Sequence, residues 1–169
     1  MDILGVIKGR RSIRKFEKRS VPPESLEKLV EAAIWAPSSH SSEPCEFIVT
    51  ATPGGVAELA RLSHAKFIEG APVIITLVVR TDTGSKSPIM DGSAAAMNLL
   101  LEAHALGLGC CWISAHPWET KLRHALNIPD DCRVIGSFAV GFPAESPLGA
   151  RRTSPQEATH EERYRREHV

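Results

Sequence analysis

The chain has 169 residues, with 20 Lys and Arg against 20 Asp and Glu, so its formal net charge is zero. That length is typical of one domain, since a chain of about 150 residues buries roughly 68–70% of its unfolded surface. The hydrophobic fraction of 43% and the charged fraction of 24% exclude an intrinsically disordered or strongly basic chain. We therefore expect a single domain over residues 1–169 that does not bind nucleic acid.

The apolar stretches are too short for a membrane protein. The longest, Ala71–Val79 and Ala105–Ile113, have about half of the ~20 residues that a bilayer-spanning helix needs. The first residues show no basic region followed by a long apolar region, so no secretory signal is predicted. None of the four cysteines forms a CxxC pair, which favours small buried thiols in a reducing compartment. We expect a cytoplasmic protein that does not enter a membrane.

The first predicted element is a helix over Pro23–Trp35. Its apolar residues recur with the spacing of one helical face, and a proline suits its first turn. A polar loop, Ser38–Ser42, follows and leads into a short strand over Glu46–Ala51. A second helix is predicted around residues 54–62.

A central strand is predicted over Pro72–Arg80. Its nearly continuous run of apolar residues is typical of a strand that is covered on both faces. A turn-rich connection, residues 81–88, precedes a long helix over Ile89–Leu106 that ends at Gly107. The remaining predicted elements are a strand over Gly109–Ser114, a helix over Pro117–Asn127 and a strand over Arg133–Gly141.

Helices and strands are interleaved along the whole chain, which by itself indicates a three-layer α/β arrangement. Residues 142–169 differ from the rest, because they contain three prolines, many charges and little apolar periodicity. A segment of this kind is either frayed or laid across a partner subunit. The sequence leaves both interpretations open.

Basic residues are concentrated in Arg10–Arg14, where three arginines surround a serine hydroxyl. Guanidinium groups and a hydroxyl suit a phosphate group. Most isolated basic clusters are nevertheless solvated surface, and the same holds for the pair Arg151 and Arg152. Taken alone, these residues are better interpreted as solvated surface than as a phosphate site.

Familiar catalytic motifs are absent from the sequence. It has no G-x-S-x-G elbow, no Walker A loop and no H-E-x-x-H zinc motif, and its seven histidines lack the spacing of metal ligands. We therefore predict neither a side-chain nucleophile nor a metal site.

Five short segments, taken together and in order, indicate a resemblance to a known family. Arg10–Phe16 reads RRSIRKF, Ala36–Phe47 reads APSSHSSEPCEF and Ala71–Ile75 reads APVII. Asn98–Ile113 contains NLLL followed by ALGLGCCWI, and Gly141–Glu145 reads GFPAE. In order and spacing these segments resemble the signature of the FMN-dependent nitroreductase family over nearly the whole chain.

This resemblance implies an α+β fold with three layers, α/β/α, around a mainly antiparallel sheet. It also implies a homodimer in which residues 142–169 form a C-terminal arm that is exchanged between subunits. The implied cofactor is FMN, with NADH or NADPH as electron donor and a nitroaromatic or quinone as small-molecule acceptor. Donor and acceptor are expected to use one slot in turn, in a ping-pong reaction. The flavin carries the chemistry, so no catalytic side chain is expected.

By position, the cofactor-binding residues that the resemblance implies are Arg10, Arg11, Ser12, Arg14, Pro37, Ser38, Ser39, Ser41, Ser63, Lys66, Trp112, Ile113, Ser114, Ala115, Arg151 and Arg152. Residues 10–12, with 151 and 152, would bind the phosphate and ribityl chain. Arg14 and Lys66 would lie near the pyrimidine end of the flavin, where a cation stabilises the reduced form. Residues 37–41 would come from the opposite subunit, and residues 113–115 would lie behind the ring.

Three positions in the 36–47 segment depart from the family pattern. Ser41 replaces the usual Asn, Glu43 replaces Gln, and Cys45 stands where an aromatic is common. A carboxylate at position 43 removes an amide donor and adds repulsion near a reduced flavin. These changes favour an alternative, a non-catalytic or specialised FMN-binding dimeric protein of the same fold.

Overall fold

Six helices and four strands make up the described part of the chain, residues 2–116 and 118–164 of a computed structural model. The helices are α1 (Ile3–Gly9), α2 (Pro23–Ile34), α3 (Pro53–Ser63), α4 (Pro88–Ala105), α5 (Glu119–Leu126) and α6 (Pro155–Ala158). The strands are β1 (Cys45–Thr50), β2 (Val73–Arg80), β3 (Gly109–Ser114) and β4 (Cys132–Gly141). Two short 3-10 helices cover Ser39–Ser41 and Lys66–Gly70.

The four strands form one antiparallel sheet in the order β1-β2-β4-β3. β2 lies in the interior of the sheet, and its residues 73–79 are all buried. The prediction of a central strand covered on both faces is therefore confirmed. β4 is the other interior strand, while β1 and β3 are the edges.

Helices cover both faces of this sheet and enclose two hydrophobic cores. On one face, α2 and α4 pack Leu29 and Leu99 against Phe138 of β4. On the other face, α3 and α5 pack Leu59 and Leu122 against the sheet. The predicted α+β fold with three layers, α/β/α, is confirmed. No helix within residues 2–116 or 118–164 is long and apolar enough to cross a bilayer.

Most predicted elements are present with ends shifted by one or two residues, and β3 has the predicted bounds. The helices α1 and α6 were not predicted. Both are short and have side-chain caps: the Asp2 carboxylate accepts from the Gly5 amide at 2.7 Å, and Ser154 and Glu157 form a capping box. Pro117 of the predicted helix and residues 165–169 of the predicted arm lie outside the described residues.

The basic segment Arg10–Arg14 is attached to the outer edge of β3. The Ile13 amide donates to the Cys110 carbonyl at 3.1 Å, and Ser12 forms a parallel bridge with the same cysteine. Ile13 and, further on, Phe16 are buried in the core beside α3. Two buried apolar side chains therefore anchor a segment whose polar residues face away from the core.

Gly109 makes this attachment possible, because a side chain there would collide with Ile13. A Cβ atom built at Gly109 lies 2.8 Å from the Ile13 Cβ and 2.7 Å from its Cγ2. Since the Cβ atom of Ile13 cannot rotate away, the basic segment itself would have to move.

We predict that Gly109→Ala lowers the free energy of unfolding by about 1–3 kcal/mol, as overpacking typically does. Gly54→Ala is the matched control, because a Cβ at this position of α3 meets nothing within 4 Å. That control should be neutral or stabilising by up to about 1 kcal/mol. Urea unfolding of both variants measures the difference, and equal stabilities would contradict the close packing.

Candidate functional site

A cavity of about 540 Å³ lies between α1, the basic segment and residues 147–152. Five cationic side chains line it, namely Lys8, Arg10, Arg11, Arg14 and Arg152, together with Ser12. Among the described residues that line the cavity, none is acidic. The protein as a whole has no net charge, so this concentration of positive charge is local and suits an anion.

Arg10 is the clearest sign of what the cavity binds. Its Nε is buried and has no hydrogen-bond partner in the part of the chain that the structure describes. A buried donor without a partner typically costs about 1–3 kcal/mol, and more when the group is charged. An anion in the cavity would supply the missing acceptor, so the donor set fits a phosphate group.

Arg11 has a second role besides lining the cavity. Its Nη1 donates to the carbonyls of Lys8 at 2.6 Å and of Arg10 at 2.8 Å. These are backbone groups at the end of α1, where carbonyls lack helical partners. One guanidinium nitrogen of Arg11 is therefore used to end the helix.

Arg14 is brought next to the short helix that begins at Lys66. Its guanidinium carbon lies 5.8 Å from the centroid of the Phe67 ring, a cation–π distance. The structure thus brings Arg14 next to the residue that follows Lys66, while the binding of a flavin ring by these two cations stays a prediction. Lys66 itself is exposed.

The Ser63 hydroxyl is already engaged by the end of α3. It donates to the Ala60 carbonyl at 3.2 Å and accepts from the Ala65 amide at 3.2 Å. His64 follows in the left-handed conformation with φ 55°, which ends the helix. Ser63 thus shapes the turn that carries Lys66.

Residues 112–115 of the predicted site lie at the far end of β3. Trp112 is 37% exposed, stacks on Phe138 with ring centroids 5.5 Å apart, and lines a second cavity of about 380 Å³. Ala115 is buried and Ile113 packs against the α3 side of the sheet, while Ser114 is exposed. None of these residues lines the basic cavity within a single chain.

The polar loop 37–43 also lies away from the basic cavity, beside the first turn of α4. Three of its residues, His40, Ser41 and Glu43, have positive φ values of 56°, 52° and 43°. The Ser38 hydroxyl accepts from the Glu43 amide at 3.0 Å and so closes the loop. Glu43, which stands where the family usually has Gln, is exposed.

Asp91 of α4 holds this loop, and sequence analysis missed it. It is only 7% exposed, and its two carboxylate oxygens accept from the Ser39 amide at 3.0 Å and the Ser85 hydroxyl at 2.6 Å. The available signal was a carboxylate in the first turn of a helix, which is common at such positions. Only the fold shows that the polar loop lies within hydrogen-bonding distance of the Asp91 carboxylate.

The four cysteines are free; Cys110, Cys111 and Cys132 are buried. Burial first, and then the Asp91 carboxylate, raise the pKa of the half-buried Cys45 to about 11. Among the described side chains, no group of three His, Cys, Asp or Glu residues comes close enough to hold a metal ion. The cavity is the site with the clearest chemistry.

Comparison with known proteins matches residues 7–69 and 55–142 to the model of the Nitroreductase family. The chain belongs to the nitroreductase family. A relative from Methanothermobacter thermautotrophicus, provisionally named NADH dehydrogenase/NAD(P)H nitroreductase, is 34% identical over 171 residues, covering 97% of this chain and 88% of the relative. The recognition made from the five sequence segments is confirmed.

Solved nitroreductase structures share the fold. One from Desulfovibrio desulfuricans, a provisionally named nitroreductase in complex with FMN, is 31% identical with a TM-score of 0.89, covering 97% of this chain and 98% of that chain. An FMN-dependent nitroreductase from Clostridium difficile is 28% identical with a TM-score of 0.88, covering 96% of this chain and 100% of that chain. The sheet and both helical layers of this chain thus have close structural counterparts.

We predict that Asp91→Asn lowers the pKa of Cys45, because the variant removes the negative charge that disfavours the thiolate. The pKa should remain above that of a free thiol, since burial is the larger cause of the shift. The alkylation rate of Cys45 against pH, followed by peptide mass spectrometry, measures this change. An unchanged profile would show that Asp91 does not act on Cys45.

Proposed function

We propose that this nitroreductase is an FMN-dependent oxidoreductase that uses NADH or NADPH to reduce nitroaromatic or quinone acceptors. The observation that carries the proposal is the buried Arg10 Nε, which lacks an acceptor in a cavity lined by five cationic side chains. Family membership and the FMN named for two similar structures support the same conclusion.

The cavity would bind the phosphate of FMN. A phosphate monoester carries a charge of about −1.5 to −2 near pH 7 and offers three acceptor oxygens. Arg10 and Ser12 would donate from the basic segment, and Arg152 from the opposite wall. Charge-assisted hydrogen bonds of this kind are roughly twice as strong as neutral ones.

Arg14 and Lys66 would bind the pyrimidine end of the ring. When bound, FMN would supply the redox chemistry between NAD(P)H and the acceptor, which would use one slot in turn in a ping-pong sequence. Arg14 and Lys66 would stabilise negative charge on the reduced cofactor. The backbone of this chain at residues 113–115 would orient the ring, and no side chain would act as a nucleophile.

The protein would act as a homodimer in the cytoplasm, with each flavin at the subunit interface. Exposed apolar side chains support this arrangement: Ile3 is 80% exposed, Trp35 80% and Met90 74%. Such residues are typical of surfaces that a partner covers. The loop 37–41, which lies away from the basic cavity of its own chain, would reach the cavity of the partner.

The C-terminal arm would complete the dimer. Leu148, at the wall of the cavity, is 96% exposed. An arm that continues from here across a second subunit would bury this side chain, while Arg152 stays in the wall of its own chain's cavity; Arg151 is exposed and does not line that cavity.

A non-catalytic FMN-binding dimer of the same fold is the second candidate. The carboxylate of Glu43, in the loop that would line the flavin, favours it, because negative charge there opposes reduction. The two candidates differ in whether a nicotinamide reduces the bound flavin.

The proposal predicts that the purified protein retains flavin absorbance after FMN addition and desalting. The bands should bleach anaerobically with NADH or NADPH and return when a quinone is added. Retained bands that neither nicotinamide bleaches would favour the non-catalytic candidate. A folded protein that retains no flavin would refute both.

We further predict that Arg10→Ala weakens FMN binding by about 10- to 150-fold, since a hydrogen bond to a charged group contributes about 1.5–3 kcal/mol. Arg80→Ala is the control, because Arg80 forms an exposed ion pair with Asp82 outside the cavity. Fluorescence titration of FMN measures both variants. Equal affinities would remove Arg10 from the phosphate site.

A further inference from the structure

The backbone of residues 13–17 has no regular secondary structure, yet its amides are almost fully paired. The Ile13 amide donates to Cys110, and the Glu17 amide donates to the Phe142 carbonyl at 2.9 Å. Phe16 forms an antiparallel bridge with Pro143. The amides of Arg14 and Lys15, which follow Ile13, have a side chain as their partner.

Glu145 is that partner. Its Oε1 accepts from the Arg14 amide at 2.5 Å and from the Lys15 amide at 3.1 Å. The Lys15 carbonyl in turn accepts from the Ala144 amide at 2.9 Å. A carboxylate placed 131 residues after Arg14 therefore fixes the backbone of the basic segment.

This contact lies between the two walls of the basic cavity. Arg10, Ser12 and Arg14 line one wall, while residues 147–150 and Arg152 line the other, in a segment that begins two residues after Glu145. The hydrogen bonds of Glu145, together with that from the Ala144 amide to the Lys15 carbonyl, connect the two walls. Glu145 is not itself among the residues that line the cavity.

Cys111 lies near Glu145, Arg10 and Arg14, because the charges of all three affect its pKa. Burial is the main reason why the pKa of Cys111 is raised; Arg14 and Arg10 lower it, and Glu145 raises it. The Glu145 carboxylate is therefore close to Arg10 and Arg14, two of the cations that line the cavity. A negative charge in this position opposes the binding of an anion, so charge alone does not explain its presence.

We propose that Glu145 is a positioning residue of the flavin site, a role that rests on the proposed function. Its carboxylate oxygen holds the Arg14 and Lys15 amides and so fixes the basic segment, with Arg10, Ser12 and Arg152 directed at the phosphate and Arg14 at the ring. The geometry of the acceptor matters for this role, and its charge does not.

Two variants of Glu145 separate the geometry of the acceptor from its charge. Glu145→Gln removes the charge but keeps an oxygen at the same reach, whereas Glu145→Asp keeps the charge and shortens the side chain by one methylene. Glu157→Asp is the matched control, because Glu157 also accepts from a backbone amide, that of Ser154 at 2.8 Å, on α6 away from the cavity. Thermal unfolding of the flavin-free proteins identifies any general loss of structure.

The test is the dissociation constant of FMN and of riboflavin, which lacks the phosphate, for each full-length protein. Glu145→Asp should weaken FMN binding by about tenfold, the effect of one lost hydrogen bond to a charged group. Riboflavin binding should weaken by no more than about threefold, because Arg10, Ser12 and Arg152 would contact the phosphate, whereas only Arg14 of the displaced segment would contact the ring. Glu145→Gln should bind FMN as tightly as the wild type or more tightly, and Glu157→Asp should match the wild type.

Several outcomes would overturn the inference. An unchanged ratio of the two dissociation constants in Glu145→Asp, with FMN bound normally by the wild type, would refute the positioning role alone. A loss in Glu145→Gln as large as in Glu145→Asp would show that charge is what matters. A wild-type protein that binds neither flavin would refute the proposed function together with this inference.

Discussion

The hydrogen bond from the Ile13 amide to the Cys110 carbonyl holds the basic segment at the outer edge of β3. Along an extended segment, successive side chains point to opposite sides. Burial of Ile13 in the core beside α3 therefore leaves Ser12 and Arg14 on the side of the cavity. Without this attachment the arginines would be scattered surface residues.

The cavity concentrates charge at a cost to the isolated chain. Five cations share a space of about 540 Å³, and the Arg10 Nε has no acceptor within the described structure. Like charges so close together repel, and a buried unpaired donor is unfavourable. Real proteins accept such costs at functional sites, where a ligand removes them. The binding of an anion should thus stabilise the fold as well as complete the site.

Local sequence patterns were sufficient to predict the main helices and strands. The apolar run of β2 placed it in the interior of the sheet, and Gly107 marked the end of the helix that precedes β3. Helix α1 escaped notice because it has only seven residues and its apolar side chains, such as Ile3, are exposed. Although α1 contacts α4, most of its apolar side chains stay exposed and add little to a core in this chain.

Contacts between distant residues could not be predicted from the sequence. Glu145 was part of the sequence pattern, as the last residue of the segment Gly141–Glu145. Its contact with Arg14, however, forms only when β3, β4 and the basic segment lie side by side. The same is true of Asp91 and Ser39, which are 52 residues apart. The five-segment resemblance named the right family and assigned residues 37–41 to the flavin site of the opposite subunit. Within one chain these residues do not line the cavity of the arginines, and their place in a partner's site stays a prediction.

A crystal structure of the FMN-loaded protein would test the central claim most directly. The account predicts a phosphate oxygen within about 3 Å of the Arg10 Nε, and the loop 37–41 of a partner subunit against the flavin ring. A phosphate bound elsewhere, with the Arg10 Nε still lacking an acceptor, would contradict it.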